Sequence, residues 1–289
     1  MVLKECEFER WVRASHELFE IFEGRYSAYP LARKWVQEWL HSDKFTVSKE
    51  DLEIIDSLIL NFNYNVFRNV RDETEKDDHK WKALVSEIDQ QFKRLKENNL
   101  TPGTHTNVGF AVAPYLFTWN FQRFKEYFKA KKEGFNLESY FNSLGEFLRI
   151  KKEELRVFKD KKLIFDELDQ VAVKRIFKEI NNKLKEIGIG NDEPTGTVKL
   201  LHIFAPYYFP LIDNAIARSV GLLSKEKRLS SNSYLEWMCR LKRWLGNYSK
   251  ETIAKLEEDY GSSILKLVDE GLYMMSTVKQ QIRVAKLGI

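Results

Sequence analysis

Apolar residues recur at the three- and four-residue spacing of an α-helix along most of this 289-residue chain. The clearest example is a stripe of Phe117, Phe121, Phe124 and Phe128, which fall at i, i+4, i+7 and i+11. No segment alternates apolar and polar residues for long enough to build a sheet, and no repeat of fixed length is present. The pattern therefore predicts an all-α, multi-helix fold.

The composition suits an ordinary folded protein. Hydrophobic residues make up 43% and charged residues 31% of the chain. Interspersed Lys and Glu of this kind are typical of proteins adapted to heat. No stretch approaches the roughly 20 apolar residues of a membrane helix, and the first residues, MVLKECEFERWVR, lack the apolar core of a secretion signal. We therefore expect a cytoplasmic protein that does not interact with membranes.

One stretch in the first half of the chain has the composition of a boundary between subdomains. The segment KENNLTPGTHTN, Lys96 to Asn107, gathers Asn, Pro, Gly and Thr without apolar periodicity. It predicts two packed helical subdomains, one over residues 1–100 and one over residues 101–289. Within the first subdomain, Ser48 and Asp51 have the spacing of a capping box and predict a helix that runs through Leu60.

The stretch Pro194 to Leu222, PTGTVKLLHIFAPYYFPLIDNAIARSVGL, predicts two short helices joined by a proline-rich turn. Asp192 lies two residues before a proline, as an N-cap would, and a second proline ends the first helix near Ala205. Asp213 lies where an N-cap belongs for the second helix, and Gly221 is a natural stop for it.

Three ionisable residues of this stretch each have a functional and a structural interpretation. Lys199, in a largely apolar helix, would gain nucleophilicity if burial kept its amine neutral; a surface lysine is the alternative. Asp213 supplies a carboxylate that could stabilise a developing positive charge, although helix capping alone explains an aspartate there. His202 lies three residues after Lys199 on the same face and is either an accessory acid or base or a packed histidine.

These residues resemble a known family. A lysine in a helix that begins with a Gly-containing turn, a loop reading PLID, an arginine five residues after the aspartate and then GL are similar to the central motif of the helix-hairpin-helix DNA glycosylase superfamily. The resemblance implies a glycosylase-like fold and removal of a damaged base from DNA by N-glycosidic cleavage, with lyase activity as an extension. It also implies that Lys199 attacks the anomeric carbon of the sugar and that Asp213 stabilises charge and orients the nucleophile.

Basic residues cluster directly after this stretch. From Arg218 to Lys250 there are eight basic and two acidic residues, in a chain whose net charge is +4. The cluster is either a solvated helix face or a surface that follows a phosphate backbone. The candidate nucleic-acid-binding residues in it are Arg218, Lys225, Lys227, Arg228, Arg240, Lys242 and Arg243.

A second candidate contact with nucleic acid lies earlier in the chain. Trp119 and Arg123 are four residues apart, where a ring and a guanidinium could stack on a base or grip a phosphate. A base taken out of the duplex would need an aromatic partner, for which Tyr207, Tyr208 and Trp119 are candidates. Asn214 shares a helix face with Arg218 and is a further accessory candidate.

The sequence contains no motif that is typical of another class of enzyme or of a metal site. The five histidines form no HExxH pair, and the two cysteines have no ligand spacing, so we expect neither a metal nor a cofactor. Walker, GxGxxG and GxSxG sequences are absent. The sequence therefore favours a DNA-binding enzyme of base excision. The alternatives are a non-catalytic helical module that binds nucleic acid, RNA included, or protein through the basic region, and a helical scaffold without a nucleic-acid role.

Overall fold

A computed structural model describes residues 3–22, 28–58, 78–119, 121–130 and 135–278. It is predominantly helical, which confirms the predicted all-α class. The helices of the first half are α1 (Glu5–Phe22), α2 (Tyr29–Ser42), α3 (described over 49–58), α4 (Asp78–Asn99), α5 (Val108–Trp119), α6 (Phe121–Ala130) and α7 (Leu137–Ile150). Those of the second half are α8 (Lys152–Lys159), α9 (Gln170–Ile187), α10 (Pro194–Phe204), α11 (Asn214–Ser219), α12 (Ser231–Leu245), α13 (Lys250–Tyr260) and α14 (Ile264–Tyr273), which continues as a π-helix (Met274–Val278).

Two short strands are the exception to the helical pattern in the described part of the chain. β1 (Phe45–Val47) pairs antiparallel with β2 (Gly103–His105), with Thr46 opposite Thr104. Three residues are too few for an alternating pattern to stand out, so the sequence did not reveal them. The capping box before α3 is present: Ser48 Oγ accepts from the Asp51 N–H at 3.1 Å, and Asp51 accepts from the Ser48 N–H at 3.0 Å. The predicted end at Leu60 lies outside the described residues.

The chain forms two compact units. The first consists of Met1–Gly24, Glu154–Asn181 and Glu193–Ile289, and the second of Arg25–Glu153 and Asn182–Asp192. This division differs from the predicted boundary near residue 100. The reason is that α1 packs against α14, near the other end of the chain, and that the β1–β2 pair joins segments on both sides of that boundary.

The second unit is built around α5, which packs against α2 and α7. Two glycines allow α5 and α7 to approach closely: a Cβ on Gly109 would lie 1.9 Å from the Phe141 carbonyl oxygen, and a Cβ on Gly145 would lie 1.7 Å from the Asn107 amide oxygen. The predicted phenylalanine stripe belongs to this core, where Phe117, Phe124 and Phe128 are buried. The side chain of Phe121 is not among those described.

The first unit has α1 and α14 at its centre. Phe8, Val12 and Phe19 of α1 are buried, whereas Leu18 is 45% exposed. The two helices are close because α14 carries a glycine at the crossing. A Cβ on Gly271 would lie 2.3 Å from the ring of Trp11.

The predicted helix pair is present in the first unit. α10 ends at Phe204 with Ala205 as its C-cap, and Asp213 caps α11, as predicted. The N-cap of α10 is Glu193 rather than Asp192, which is exposed and pairs with Lys185 at 3.3 Å. The predicted stop glycine, Gly221, has a φ of 67°, which favours glycine. None of the helices described combines the length and apolarity needed to cross a membrane.

Candidate active site: a buried charge cluster

Lys199 lies in the most buried helix of the first unit. It is only 7% exposed, and α10 is buried at every position except one. Burial lowers the pKa of Lys199 from 10.5 to about 8, because water no longer stabilises the ammonium. The negative charges of Asp213, Asp269 and Glu193 oppose this shift. Lys199 is therefore not a surface lysine, and its amine is far easier to deprotonate than that of an ordinary lysine.

Asp213 reaches the same site from the start of α11. One of its oxygens, Oδ1, accepts a hydrogen bond from the Ile216 N–H at 2.7 Å and caps the helix. No described residue donates a hydrogen bond to the other oxygen, Oδ2. The charge of Asp213 acts on both Lys199 and Asp269. Capping and an electrostatic role are thus compatible in this residue, because accepting the capping hydrogen bond leaves the carboxylate charged.

Three further members of the site come from α14 and were missed by the sequence analysis. Lys266, Asp269 and Glu270 are each at most 7% exposed, and α14 is buried from Ile264 to Gly271. The Lys266 ammonium lies 2.9 Å from Glu270 Oε1 and 3.9 Å from Asp269 Oδ2. The signal was present in ILKLVDEGLY, where charged residues at i, i+3 and i+4 interrupt an otherwise apolar helix.

His16 of α1 completes the group. Its Nδ1 donates to Glu270 Oε2 at 2.7 Å, and this hydrogen bond raises the pKa of His16. Burial alone would raise the pKa of Glu270, but Lys266 and His16 hold it below its ordinary value. His16, Glu20 and Glu270 each place one potential metal ligand within 4.8 Å of the others. Glu270 already binds two cationic groups, so we assign His16 and Glu270 to ion pairing.

We call these seven residues the buried charge cluster, and all of them belong to the first unit. Its members are His16, Glu193, Lys199, Asp213, Lys266, Asp269 and Glu270. Within it, burial raises the pKa of Asp269 from 3.8 to about 7; Lys266 opposes the shift, whereas Asp213 and Glu270 add to it. The cluster therefore contains an amine and a carboxyl group that both titrate near neutral pH, an arrangement concentrated at functional sites.

A local irregularity of the backbone adjoins the cluster. The π-helix Met274–Val278 continues α14 and packs against α11 and α1. Single turns of π-helix occur frequently at functional sites. Here the π-helix continues the helix that carries Asp269 and contacts the helix that Asp213 caps.

The accessory candidates have structural roles. His202 is fully buried, and its Nδ1 donates to the Phe209 carbonyl oxygen at 2.7 Å. Tyr208 is fully buried as well, and its ring stacks on Phe158. Neither side chain can receive a base without opening the core, and the accessory roles of His202 and Tyr208 stay predictions.

Two other accessory candidates lie nearer the surface. The ring of Tyr207 is partly exposed, 5.1 Å from the ammonium of Lys162. Asn214 accepts from the Leu229 N–H at 2.9 Å and so ties α11 to the segment before α12. Tyr207 remains a candidate for stacking on a base, whereas the Asn214 side chain is engaged in the fold.

The basic residues predicted to bind nucleic acid fall into two groups, those that are exposed and those that contact other groups of the protein. Lys225, Lys227, Arg228 and Arg243 are exposed. Three other candidates are engaged with the protein itself: Arg218 donates to the Lys227 carbonyl oxygen, Arg240 pairs with Glu236, and Lys242 donates to the Asp166 carbonyl oxygen. Lys242 is half-buried, and its assignment to the nucleic-acid surface stays a prediction.

The remaining pair of candidates lies in the other unit. Trp119 ends α5 and Arg123 is in α6, both within the second unit, and their side chains are not among those described. Their proposed contact with a base or a phosphate stays a prediction. Comparisons with protein-family models, curated proteins and solved structures found no match to this chain.

Proposed function

We propose that the protein is a DNA glycosylase-type enzyme of base excision, with Lys199 as the amine nucleophile and Asp213 as the charge-stabilising carboxylate. One observation carries the proposal: a lysine with a pKa lowered by burial to about 8 shares its electrostatic environment with the carboxylate that caps the next helix. At pH 7.5 roughly a quarter of such lysines are neutral, against about one in a thousand for a lysine with a pKa of 10.5. A neutral amine is what attack on the sugar carbon requires.

Asp213 has the features that the second role needs. Breaking an N-glycosidic bond builds positive charge on the sugar, and a fixed carboxylate near that charge lowers the barrier. Its Oδ1 is held at 2.7 Å by the first turn of α11, so the side chain is fixed in position, while Oδ2 has no hydrogen bond from a described residue. The exposed Lys225, Lys227 and Arg228, in the segment after α11, supply positive charge for the DNA backbone.

The lyase step offers a test that does not depend on the identity of the base. A duplex with an abasic site presents an aldehyde at the sugar C1′. The Lys199 amine adds to this carbon, water leaves, and a C=N bond forms. Borohydride reduces this bond to a stable secondary amine, so the protein and the DNA become covalently joined. We expect trapping with the natural protein and none with Lys199→Ala.

Two matched variants separate chemistry from folding. Asp213→Asn keeps a capping side chain but removes the charge, so we expect slow trapping with nearly unchanged stability. Lys255→Ala removes an exposed lysine of α13 in the same unit and should trap normally. If Lys199→Ala traps DNA as well as the natural protein does, the nucleophile is another residue and the proposal fails.

The exposed basic residues favour a second candidate, a non-catalytic nucleic-acid-binding module. In that case no duplex is cleaved or trapped, and duplex affinity falls steeply with salt because bound counterions are released. Lys225→Ala combined with Lys227→Ala would reduce that affinity, whereas Lys199→Ala and Asp213→Asn would leave it unchanged. Normal affinity without trapping would therefore favour the module over the enzyme.

A further inference from the structure

His16, Glu20 and Glu270 bring three side chains of the kind that bind metals to the crossing of α1 and α14. Each offers one ligand atom, and these atoms all lie within 4.8 Å of one another. His16 and Glu20 are four residues apart on α1 and so share one face of that helix. Glu270 approaches from α14, which packs closely on α1 because Gly271 has no side chain to collide with Trp11. The group arises from helix packing, which is why no ligand spacing in the sequence indicates it.

The distances in this group fit a four-coordinate zinc ion after small movements of the side chains. Zinc bonds to histidine nitrogen and carboxylate oxygen are about 2.0–2.2 Å long, so the ligand atoms of a tetrahedral ion are about 3.4 Å apart. His16 Nδ1 and Glu270 Oε2 are now 2.7 Å apart, and no two of the three ligand atoms are separated by more than 4.8 Å. Exposure increases from Glu270, at 4%, to His16, at 17%, and to the exposed Glu20. Solvent therefore reaches the site from the side of Glu20, whose side chain is free to adjust to an ion.

Lys266 holds Glu270 in a suitable orientation. The Lys266 ammonium lies 2.9 Å from Glu270 Oε1, and the other oxygen, Oε2, lies beside His16. Carboxylates that bind metals are commonly fixed in this way by a hydrogen bond to the rest of the protein. When His16 is neutral, the carboxylates of Glu20 and Glu270 are opposed by the single ammonium of Lys266. The group then carries a net negative charge, which favours a cation.

We propose that His16, Glu20 and Glu270 form a binding site for a divalent transition-metal ion such as zinc, with one nitrogen and two carboxylate oxygens as protein ligands and water in the remaining position. Three protein ligands and one water are the set found in zinc sites that keep an open position. Imidazole among the ligands suits zinc and its neighbours better than magnesium or calcium, which take oxygen ligands. A bound ion joins α1 to α14 and stabilises the folded first unit, since the unfolded chain has no such site.

Metal binding and the ion pair of His16 with Glu270 are alternative states of the same residues. In the metal-free state Nδ1 donates its proton to Glu270 at 2.7 Å. An ion replaces that proton: the N–H bond breaks, the nitrogen lone pair binds the metal, and the proton passes to solvent. Glu270 and Glu20 raise the pKa of His16 and Lys266 opposes them, while the ring of Tyr260 in α13 lies 4.3 Å from the imidazole. Protons therefore compete with the ion up to a higher pH than at an ordinary histidine, and zinc affinity should rise with pH.

Titration of the intact protein with zinc, followed by calorimetry after EDTA has removed any bound metal, tests the site. We expect one ion per chain at pH 7.5, bound with release of protons. Glu20→Gln should bind zinc at least tenfold more weakly, because loss of a residue that merely supports a ligand already costs about 10–100-fold. Glu20 is exposed, so this variant should fold normally. Glu17→Gln removes an exposed carboxylate of the same helix, with the same change of charge, and should bind zinc as the natural protein does.

The imidazole of His16 gives a second measurement that binding elsewhere on the surface would not affect. Its NMR signal, identified by its loss in His16→Gln, should shift when zinc is added and should then no longer titrate with pH. Four results would each overturn the proposal: absence of zinc binding, equal affinity in the natural protein and Glu20→Gln, an equal loss in Glu17→Gln, or a His16 signal that zinc does not shift.

Metal binding at the crossing of α1 and α14 goes beyond the proposed function and does not rest on it. The zinc titration uses no DNA, and borohydride trapping can be measured in EDTA. Trapping by a protein that binds no zinc would reject the metal site and keep the enzyme. Zinc binding by a protein that traps no DNA would reject the enzyme and keep the metal site.

Discussion

Replacing Asp269 by asparagine should make the protein more stable at alkaline pH and hardly change its stability at acidic pH. Asparagine has nearly the shape of a protonated aspartate but cannot ionise. The natural side chain keeps its proton in the folded protein up to a pKa of about 7, whereas in the unfolded chain it loses the proton near its ordinary pKa of 3.8. Between these values the folded state binds more protons, so its stability falls as pH rises.

The size of the effect follows from the two pKa values. A pKa difference of one unit corresponds to 1.36 kcal/mol, so the full shift of Asp269 costs about 4 kcal/mol above pH 7. Between pH 5 and pH 7, about 2 kcal/mol of this cost should develop, because the folded side chain is already half ionised at pH 7. The other titrating groups are common to both proteins and largely cancel in the difference. The stability of Asp269→Asn relative to the natural protein should therefore rise by about 2 kcal/mol over that interval and level off above pH 8.

Urea unfolding at pH 5, 6, 7 and 8, followed by circular dichroism, measures this difference. Asp259→Asn is the control, and it should show no comparable gain with pH. A difference between Asp269→Asn and the natural protein that stays constant from pH 5 to pH 8 would refute the argument, because it would mean that Asp269 has the same pKa in the folded and unfolded states.

Three further predictions test the surroundings of the cluster. Asp213→Ala should lower the free energy of unfolding by about 1 kcal/mol more than Asp213→Asn does, since alanine cannot cap a helix; thermal unfolding of both variants measures this, and equal losses would contradict it. Gly271→Ala should cost about 1–3 kcal/mol, because the new Cβ would lie 2.3 Å from the ring of Trp11; an unchanged urea midpoint would show that α1 and α14 can separate without loss. Glu270→Gln should lower the pKa of His16, whose main cause of elevation is the Glu270 hydrogen bond; an NMR titration of the His16 ring that does not change would rule this out.

Local signals in the sequence predicted local structure well. Asp213, Ser48 and Gly221 each have a role that depends on a few neighbouring residues, namely a cap, a capping box and a helix stop. Each is found where the sequence places it. The N-cap predicted for α10, Asp192, is one residue before the observed N-cap, Glu193. Both residues precede the proline of the first turn, so the sequence alone does not distinguish them.

Contacts between residues that are far apart in the sequence could not be predicted. His16 and Glu270 are 254 residues apart and meet because α1 packs on α14. Nothing in the spacing of either helix identifies the other as its partner. The same is true of Asp269, which lies 70 positions from Lys199 in the sequence and yet acts on its charge. The sequence thus predicted two members of the site, and the packing of distant helices determined the others.

The carboxylates of the buried charge cluster differ in how fully their oxygens are paired with hydrogen-bond donors. Glu270 has a cationic partner within 3 Å of each oxygen, as expected of an ion-pair network that serves the fold. Asp269 has no hydrogen-bond donor in the described part of the chain, and one oxygen of Asp213 lacks one as well. A purely structural site would gain stability by exchanging a buried carboxylate such as Asp269 for an apolar residue, since a buried charge is costly without full hydrogen bonding. Asp213 and Asp269 both act on the charge of Lys199, whose pKa burial lowers to about 8, and ionisable groups with shifted pKa values of this kind are concentrated at functional sites.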